Sequence, residues 1–241
     1  MRFQNRQQAG RQLAATLEEL WATHSWPEPI VLGLPRGGVP VAAEVARTLG
    51  APLDVLVARK IGMPGRPEVG IGAIAGDDPP LFDRRALRML GLTPRELTPD
   101  VARERAELHR RDALYRHGRP APVLRGRPVI LVDDGLATGV TARAALRRIR
   151  AEGPAVLVLA VPVCAAGAAE ELSRDADRVV CLRPHRDLGA VGAWYDDFRQ
   201  VSDQEVIDIL EHQGTRRRLA RPTAPTAPTA PTTTPWHRTG A

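Results

Sequence analysis

Val129-Ile-Leu-Val132 is an unbroken β-branched and leucine run, the pattern of a strand buried on both faces. A small-residue turn, Gly135-Leu-Ala-Thr-Gly139, follows it. From Thr141 the spacing of Ala145, Leu146 and Ile149 predicts a helix. The same alternation recurs along the chain. Ile30-Val-Leu-Gly-Leu34 reads as a strand and Val41 to Leu49 as a helix. Leu53 to Val57, Ala155 to Val161 and Arg178 to Leu182 read as further strands, and Val69 to Ala75 as extended. Helices are predicted over 7–23, where Leu13, Leu17, Leu20 and Trp21 share a face, and over 99–117, 165–172 and 203–212. Residues 61–68, with two glycines and two prolines, are expected to form no regular structure, and 76–94 are expected to be irregular. Strands alternating with helices define the α/β class: a mostly parallel, twisted sheet flanked by helices.

Composition changes this picture mainly at the C-terminus. The net charge is +6, but residues 215–241 carry five arginines and no acid, so residues 1–214 hold 29 basic and 28 acidic side chains. A nearly neutral body gives no bulk electrostatic case for nucleic-acid binding. The Arg-rich stretch and the Ala-Pro-Thr repeat at 224–232 cannot bury a core. The expected organisation is therefore one domain over 1–213 and a disordered Arg/Pro/Thr-rich tail over 214–241, removable without loss of stability. Cys164 and Cys181 sit in or beside apolar runs and read as free thiols. No opening signal segment and no membrane-length apolar run is present, so a cytoplasmic location is expected. The charge-rich helix 99–117 reads as solvated or dimer-facing, laced by i,i+4 pairs.

The candidate chemistry lies where the predicted strands end. Asp133 and Asp134 stand at the carboxyl end of the 129–132 run, where carboxylates can accept from vicinal hydroxyls or hold a hydrated Mg²⁺. Backbone N–H groups of the turn and the hydroxyls of Thr138 and Thr141 can converge on a phosphate. Pro35-Arg-Gly-Gly38 follows the first strand, with glycines that permit close backbone approach and Arg36 as a forked donor. Lys60, the single lysine among 34 basic side chains, stands at the root of the Gly/Pro-rich stretch 61–68. Walker, zinc-spaced and nucleophile-elbow motifs are all missing from the sequence.

Positions 129–141 resemble the phosphoribosyl-pyrophosphate (PRPP) signature of the type I phosphoribosyltransferases: four apolar residues, an acidic pair, then Thr-Gly-x-Thr. Gly135 departs from it where an aliphatic residue is usual, and Ala137 where Ser, Thr or Asp is common. Pro35-Arg-Gly-Gly-Val-Pro40, Arg59-Lys60 and Ala190-Val-Gly-Ala-Trp-Tyr195 resemble runs of a bacterial branch of the same family. The resemblance implies the type I fold with a small hood partly from 184–200, a homodimer, and transfer of phosphoribosyl from Mg-PRPP to a nitrogenous base with release of pyrophosphate. It implies that Arg36, Lys60, Asp133 and Asp134 are catalytic, with Mg²⁺ at Asp133 and Asp134. PRPP would be bound by Pro35, Arg36, Gly37, Gly38, Lys60, Asp133, Asp134, Ala137, Thr138, Gly139, Val140 and Thr141. A cis peptide near Pro35-Arg36 and a mobile loop over 61–68 are also implied. For the acceptor base the hood offers Trp194 or Tyr195 to stack and Asp196 to accept. The competing reading is a PRPP- or nucleotide-sensing regulator without turnover; its basic nucleic-acid face is not apparent in the body's charge.

Overall fold

The structure is a computed structural model that describes residues 2–220, apart from the side chains of 67, 68 and 216–220. It begins α1 (Arg6–His24), β1 (Ile30–Gly33), α2 (Gly38–Thr48) and β2 (Leu53–Val55). A second group follows: β3 (Ala58–Met63), β4 (Arg66–Ala75), β5 (Leu81–Phe82), α3 (Arg84–Leu90) and α4 (Thr98–Arg116). Then come β6 (Pro128–Val132), α5 (Val140–Ala151), β7 (Val156–Ala165), α6 (Ala166–Leu172) and β8 (Arg178–His185). A 3₁₀ turn (Val191–Trp194) and α7 (Asp203–Ala220) complete it.

Five strands form one parallel sheet in the order β2-β1-β6-β7-β8. Every residue of β1 and β6 is buried, because each face of the sheet is covered. Strand pleating sends Val31, Ile130, Val132, Val158 and Ala160 toward Leu13, Leu17, Val41 and Val45 of α1 and α2. Ile30, Leu32, Val129, Leu131, Leu157 and Leu159 face the opposite way, toward Ala145, Leu146 and Ile149 of α5. The α/β class read from the sequence is thus the observed one. The order has a further consequence. From β1 the chain steps outward to β2, and from β6 it steps the other way to β7 and β8. The switch point therefore lies between β1 and β6, and a crevice at their carboxyl ends is where open parallel sheets bind ligands.

Three sequence expectations need correction. Residues 61–68 are mostly strand. β3 and β4 form an antiparallel hairpin that turns on Pro64-Gly65, with Met63 opposite Arg66. Pro64 presets its own φ, and Gly65 supplies the positive φ of 76° that closes so short a turn. Register shifts beside Gly62 absorb the irregularity. The stretch 76–94 contains β5 and α3, whose start is capped by the Asp83 carboxylate. Finally, α7 continues past His212 to Ala220, so the segment 214–220 assigned to a disordered tail is helical. The rest of that tail, 221–241, lies outside the described residues.

Helix α4 is not simply solvated. Leu108 and Tyr115 are buried, and its ion pairs reach outward as well as along the helix. Glu104 receives both Nε and Nη2 of Arg59 on β3, Arg105 donates to the Gly76 and Asp78 carbonyls, and Arg116 joins Asp54 and the Val55 carbonyl. The hairpin is thereby tied down along α4 on one side. On the other side it packs against α5 through Ala58, Ala73 and Ala75. Among the described residues, no helix is long and apolar enough to cross a membrane.

Val206, Ile207 and Leu210 bury the inner face of α7, and Gln213 donates to the Ala43 carbonyl. Ending the chain after Gln213 keeps all of these contacts and should change Tm by less than about 2 °C. Leu210→Ala should cost about 2–5 kcal/mol. Thermal and denaturant unfolding of the two variants checks both.

Candidate active site

Two helices begin at the switch point, one from each central strand. The chain leaves β1 at Gly33 and enters α2 at Gly38; it leaves β6 at Val132 and enters α5 at Val140. Neither helix has a side-chain cap at its N-terminus or an acid in its first turn. The first N–H groups of α5 therefore lack the usual carboxylate or hydroxyl partner, whereas in α2 Gly38 and Val39 donate to the Leu34 and Arg36 carbonyls and Pro40 has no N–H. Both positive dipole ends still face the same edge of the sheet. The loop into α5 is rooted by Leu136. Its N–H donates to the Val163 carbonyl at 2.9 Å, and its carbonyl accepts from Ala165 N at 2.8 Å. Beyond that root Ala137 and Thr138 are exposed, and Thr141 lies in the first turn of α5.

The loop after β1 crowds onto the acidic pair. Leu34 N donates to the Val132 carbonyl at 2.9 Å, and the Pro35–Arg36 peptide is cis, as the resemblance implies. A methyl group on Gly37 would overlap Asp134 Oδ2, and one on Gly38 would stand 2.7 Å from the Val132 carbonyl oxygen. The two loops are thus in backbone contact, and only glycine fits at that contact.

Asp133 Oδ1 accepts from Asp134 N at 2.8 Å, and Asp134 Oδ2 accepts from Arg6 Nε at 2.8 Å. Among the described residues each carboxylate keeps one oxygen free of hydrogen bonds. Burial, reinforced by the neighbouring Asp134 charge, pushes the Asp133 carboxyl well above the usual carboxylate range. Burial also raises Asp134, and the Arg6 guanidinium opposes that rise. The departure at Gly135 has a packing reason. A methyl there would overlap Val191 of the 3₁₀ turn, which occupies the space that an aliphatic side chain would fill.

Arg36 is half-buried, with Nη1 3.6 Å from Asp203 Oδ1 at the start of α7. That same oxygen accepts the buried Tyr115 hydroxyl at 2.5 Å, which fixes Asp203 and pulls its carboxyl below the ordinary value. Lys60 lies on β3, where its stem crosses Gly70; Val140, at the start of α5, is the next side chain beyond Gly70. An ordered hairpin, not an irregular loop, thus brings Lys60 to the α5 end of the crevice.

The residues assigned to the base divide. Tyr195 is 3% exposed, packed between Phe3 and Phe198, and its hydroxyl donates to the Asp134 carbonyl at 2.6 Å. It props the acidic pair from beneath and has no face left for a base, which corrects the stacking role expected for it. Trp194 is half-buried, stacks on His185 at 3.6 Å and donates from Nε1 to the Leu188 carbonyl. Asp196 is exposed, with its N–H on the Phe3 carbonyl.

Sequence reasoning passed over Arg6, Phe3, Tyr115 and Asp203. Arg6 and Phe3 sit in a polar opening stretch with no motif, and Asp203 resembles any acid at a helix start. The one available signal was Phe3, a lone aromatic ahead of an amphipathic helix.

The fold and this site define a class. A family model described as "Phosphoribosyl transferase domain" matches residues 2–196, and the chain belongs to that family. Two Mycobacterium tuberculosis proteins, "Putative phosphoribosyl transferase MT0597" and "Putative phosphoribosyl transferase Rv0571c", are each 44% identical to it over 209 residues. These alignments cover 87% of this chain and 46% of each relative, so the chain spans about half the length of the curated relatives it matches. The crystal structure of TT1426 from Thermus thermophilus superposes with a TM-score of 0.72 at 44% identity, covering 88% of this chain and 99% of that one.

Asp133 supplies a test of the site's electrostatics. Its folded pKa is raised, so the unfolded chain ionises first as pH climbs past the ordinary 3.8, and native stability is lost until the folded group ionises too. Asp133→Asn escapes this penalty while its Oδ1 still accepts from Asp134 N. Its Tm should equal wild type near pH 3 and exceed it near pH 7.5. An equal or lower Tm near pH 7.5 would contradict the assigned burial.

Proposed function

We propose that this chain is a phosphoribosyltransferase that binds Mg-PRPP and transfers its phosphoribosyl group to a nitrogenous base, releasing pyrophosphate. The observation that carries this reading is the acidic pair at the switch point, set between the uncapped N-terminus of α5 and the loop into α2 that carries Arg36. Few small molecules need two anion sites flanking a diol, and PRPP is one. In this reading the N–H groups of residues 137–141, with the Thr138 and Thr141 hydroxyls, hold the 5′-phosphate. The free oxygens of Asp133 and Asp134 accept from the ribose hydroxyls. The backbone of Pro35–Gly38 with the Arg36 and Lys60 side chains holds the pyrophosphate.

The residues present fit Mg²⁺. Among the described residues no cluster of three metal-ligating side chains exists, so a fully protein-caged ion is not supported. Two carboxylates with one free oxygen each suit an ion that completes its shell from substrate and water oxygens. When bound, that ion would neutralise charge on the leaving pyrophosphate. The protein's own share is alignment and charge stabilisation: the bond from C1 of the ribose to the pyrophosphate oxygen breaks, the base nitrogen bonds to C1, and that nitrogen gives up its proton. Arg36 would exchange its 3.6 Å contact with Asp203 for the pyrophosphate. For the base, Trp194 on its His185 platform is the remaining aromatic candidate, with Asp196 nearby in sequence.

Pyrophosphate release from Mg-PRPP, assayed against a panel of purine and pyrimidine bases, tests the reading. At least one base should support turnover, and Asp133→Asn should lower it about 10²-fold or more while remaining folded. Release that no base stimulates, or a fully active Asp133→Asn, would refute it. Asp134→Asn is a poorer test, because it strands the buried Arg6 charge at about 3–5 kcal/mol.

A further inference from the structure

Among the described residues Arg6 is the least exposed of the charged ones, at 8%. It projects from the first turn of α1, yet every group it meets belongs to the site or closes it. Nε donates to Asp134 Oδ2 at 2.8 Å, and Nη1 donates to the Arg199 carbonyl at 2.8 Å. The Phe198 ring lies 3.9 Å from its Cζ, and Nε is 3.2 Å from where a Gly37 Cβ would be. One guanidinium therefore bridges the acidic pair, the loop after β1 and the segment that follows the 3₁₀ turn.

A buried ion pair is a weak device for stability. Removing a guanidinium from water costs several kcal/mol, and a well-packed apolar pair of similar volume often does as well or better. The arrangement is explained instead by what it does to Asp134. A carboxylate at a strand end can rotate about χ2, and its two oxygens are equivalent until something distinguishes them. Arg6 takes one oxygen, and its own rotation is blocked by the Arg199 carbonyl and the Phe198 face. The other oxygen is then held at a fixed angle to the crevice. Below, the Tyr195 hydroxyl fixes the same residue's carbonyl at 2.6 Å, so side chain and backbone of Asp134 are both clamped.

We infer that Arg6 is a positioning residue that locks the Asp134 carboxylate in the orientation that receives the ribose hydroxyls or Mg²⁺ of the bound substrate. The inference rests on the Mg-PRPP reading above. Arg6 Nε and Nη1 already engage Asp134 and the Arg199 carbonyl and the residue is buried, so the role assigned to it is positioning rather than direct anion binding.

The test uses calorimetric titration of the full chain, wild type, Arg6→Lys and Arg6→Ala, with Mg-PRPP and separately with metal-free pyrophosphate. Lysine retains the charge but cannot span Asp134 and the Arg199 carbonyl in a fork. Both variants should bind Mg-PRPP about 10–100-fold more weakly, the usual scale for groups that orient a ligating side chain. Metal-free pyrophosphate, which engages the Arg36 and Lys60 loops without the acidic pair, should bind as in wild type. Millimolar guanidinium should restore Mg-PRPP affinity in Arg6→Ala, a rescue that generalised loosening of the fold would not show. If Arg6→Ala does not fold, Arg6→Lys decides alone. Wild-type Mg-PRPP affinity in Arg6→Lys overturns the inference, and equal loss of both ligands reassigns Arg6 to structure or direct anion binding. Failure of wild type to bind Mg-PRPP removes the ligand assignment, and this inference with it.

Discussion

Two loops meet at the centre of this protein with no room for a side chain between them. Gly37 and Gly38 press against Asp133, Asp134 and the Val132 carbonyl, and that contact ties the end of β1 to the end of β6. Because the carboxylates are covered, they have lost water and must be answered by protein donors. Asp134 N answers Asp133, and Arg6 answers Asp134. Those answers in turn fix where α1 starts and where the segment after the 3₁₀ turn must lie, since Arg6 also binds the Arg199 carbonyl. The N-terminus of α5 is left uncapped beside the acidic pair, which is a cost to folding that an anionic ligand would relieve.

The periphery follows from this centre. The hairpin β3–β4 carries Lys60 to α5 because its inner face is small, Ala58, Ala73 and Ala75, and packs closely on Ala142 and Ala145. Its outer side is fastened by the Arg59 pair with Glu104. That pair is partly buried and donates through both Nε and Nη2, so it and the alanine contact together hold the hairpin in place. α7 lies beyond residue 196, where the family match ends, yet its first residue Asp203 faces Arg36. The proposed pyrophosphate loop thus leans on an element that the family pattern does not cover.

How much of this was legible in the sequence depended on the range of the physics involved. β6 was plain because five consecutive residues are buried on both faces, which leaves an all-apolar run. The acidic pair and the glycine pair were legible because their chemistry is local. The hairpin at 58–75 was missed because Pro64 and Gly65, rated as breakers, occupy the two turn positions that require them. Arg6 was invisible because its partner is 128 residues away, and no periodicity marks a residue whose burial depends on a distant carboxylate. Tyr195 was identified as a site residue and given the wrong task. An aromatic beside a ligand loop can stack or support, and only the positions of Phe3 and Phe198 decide between the two.

The central claim is that both loops and the acidic pair form a single Mg-PRPP site. Calorimetric titration of PRPP, with and without Mg²⁺, into wild type and Gly37→Ala tests it most directly. The account predicts one Mg²⁺-dependent site per wild-type chain. It predicts no detectable binding to a folded Gly37→Ala, whose methyl displaces the Asp134 carboxylate. Equal binding by both proteins, or wild-type binding indifferent to Mg²⁺, would contradict it.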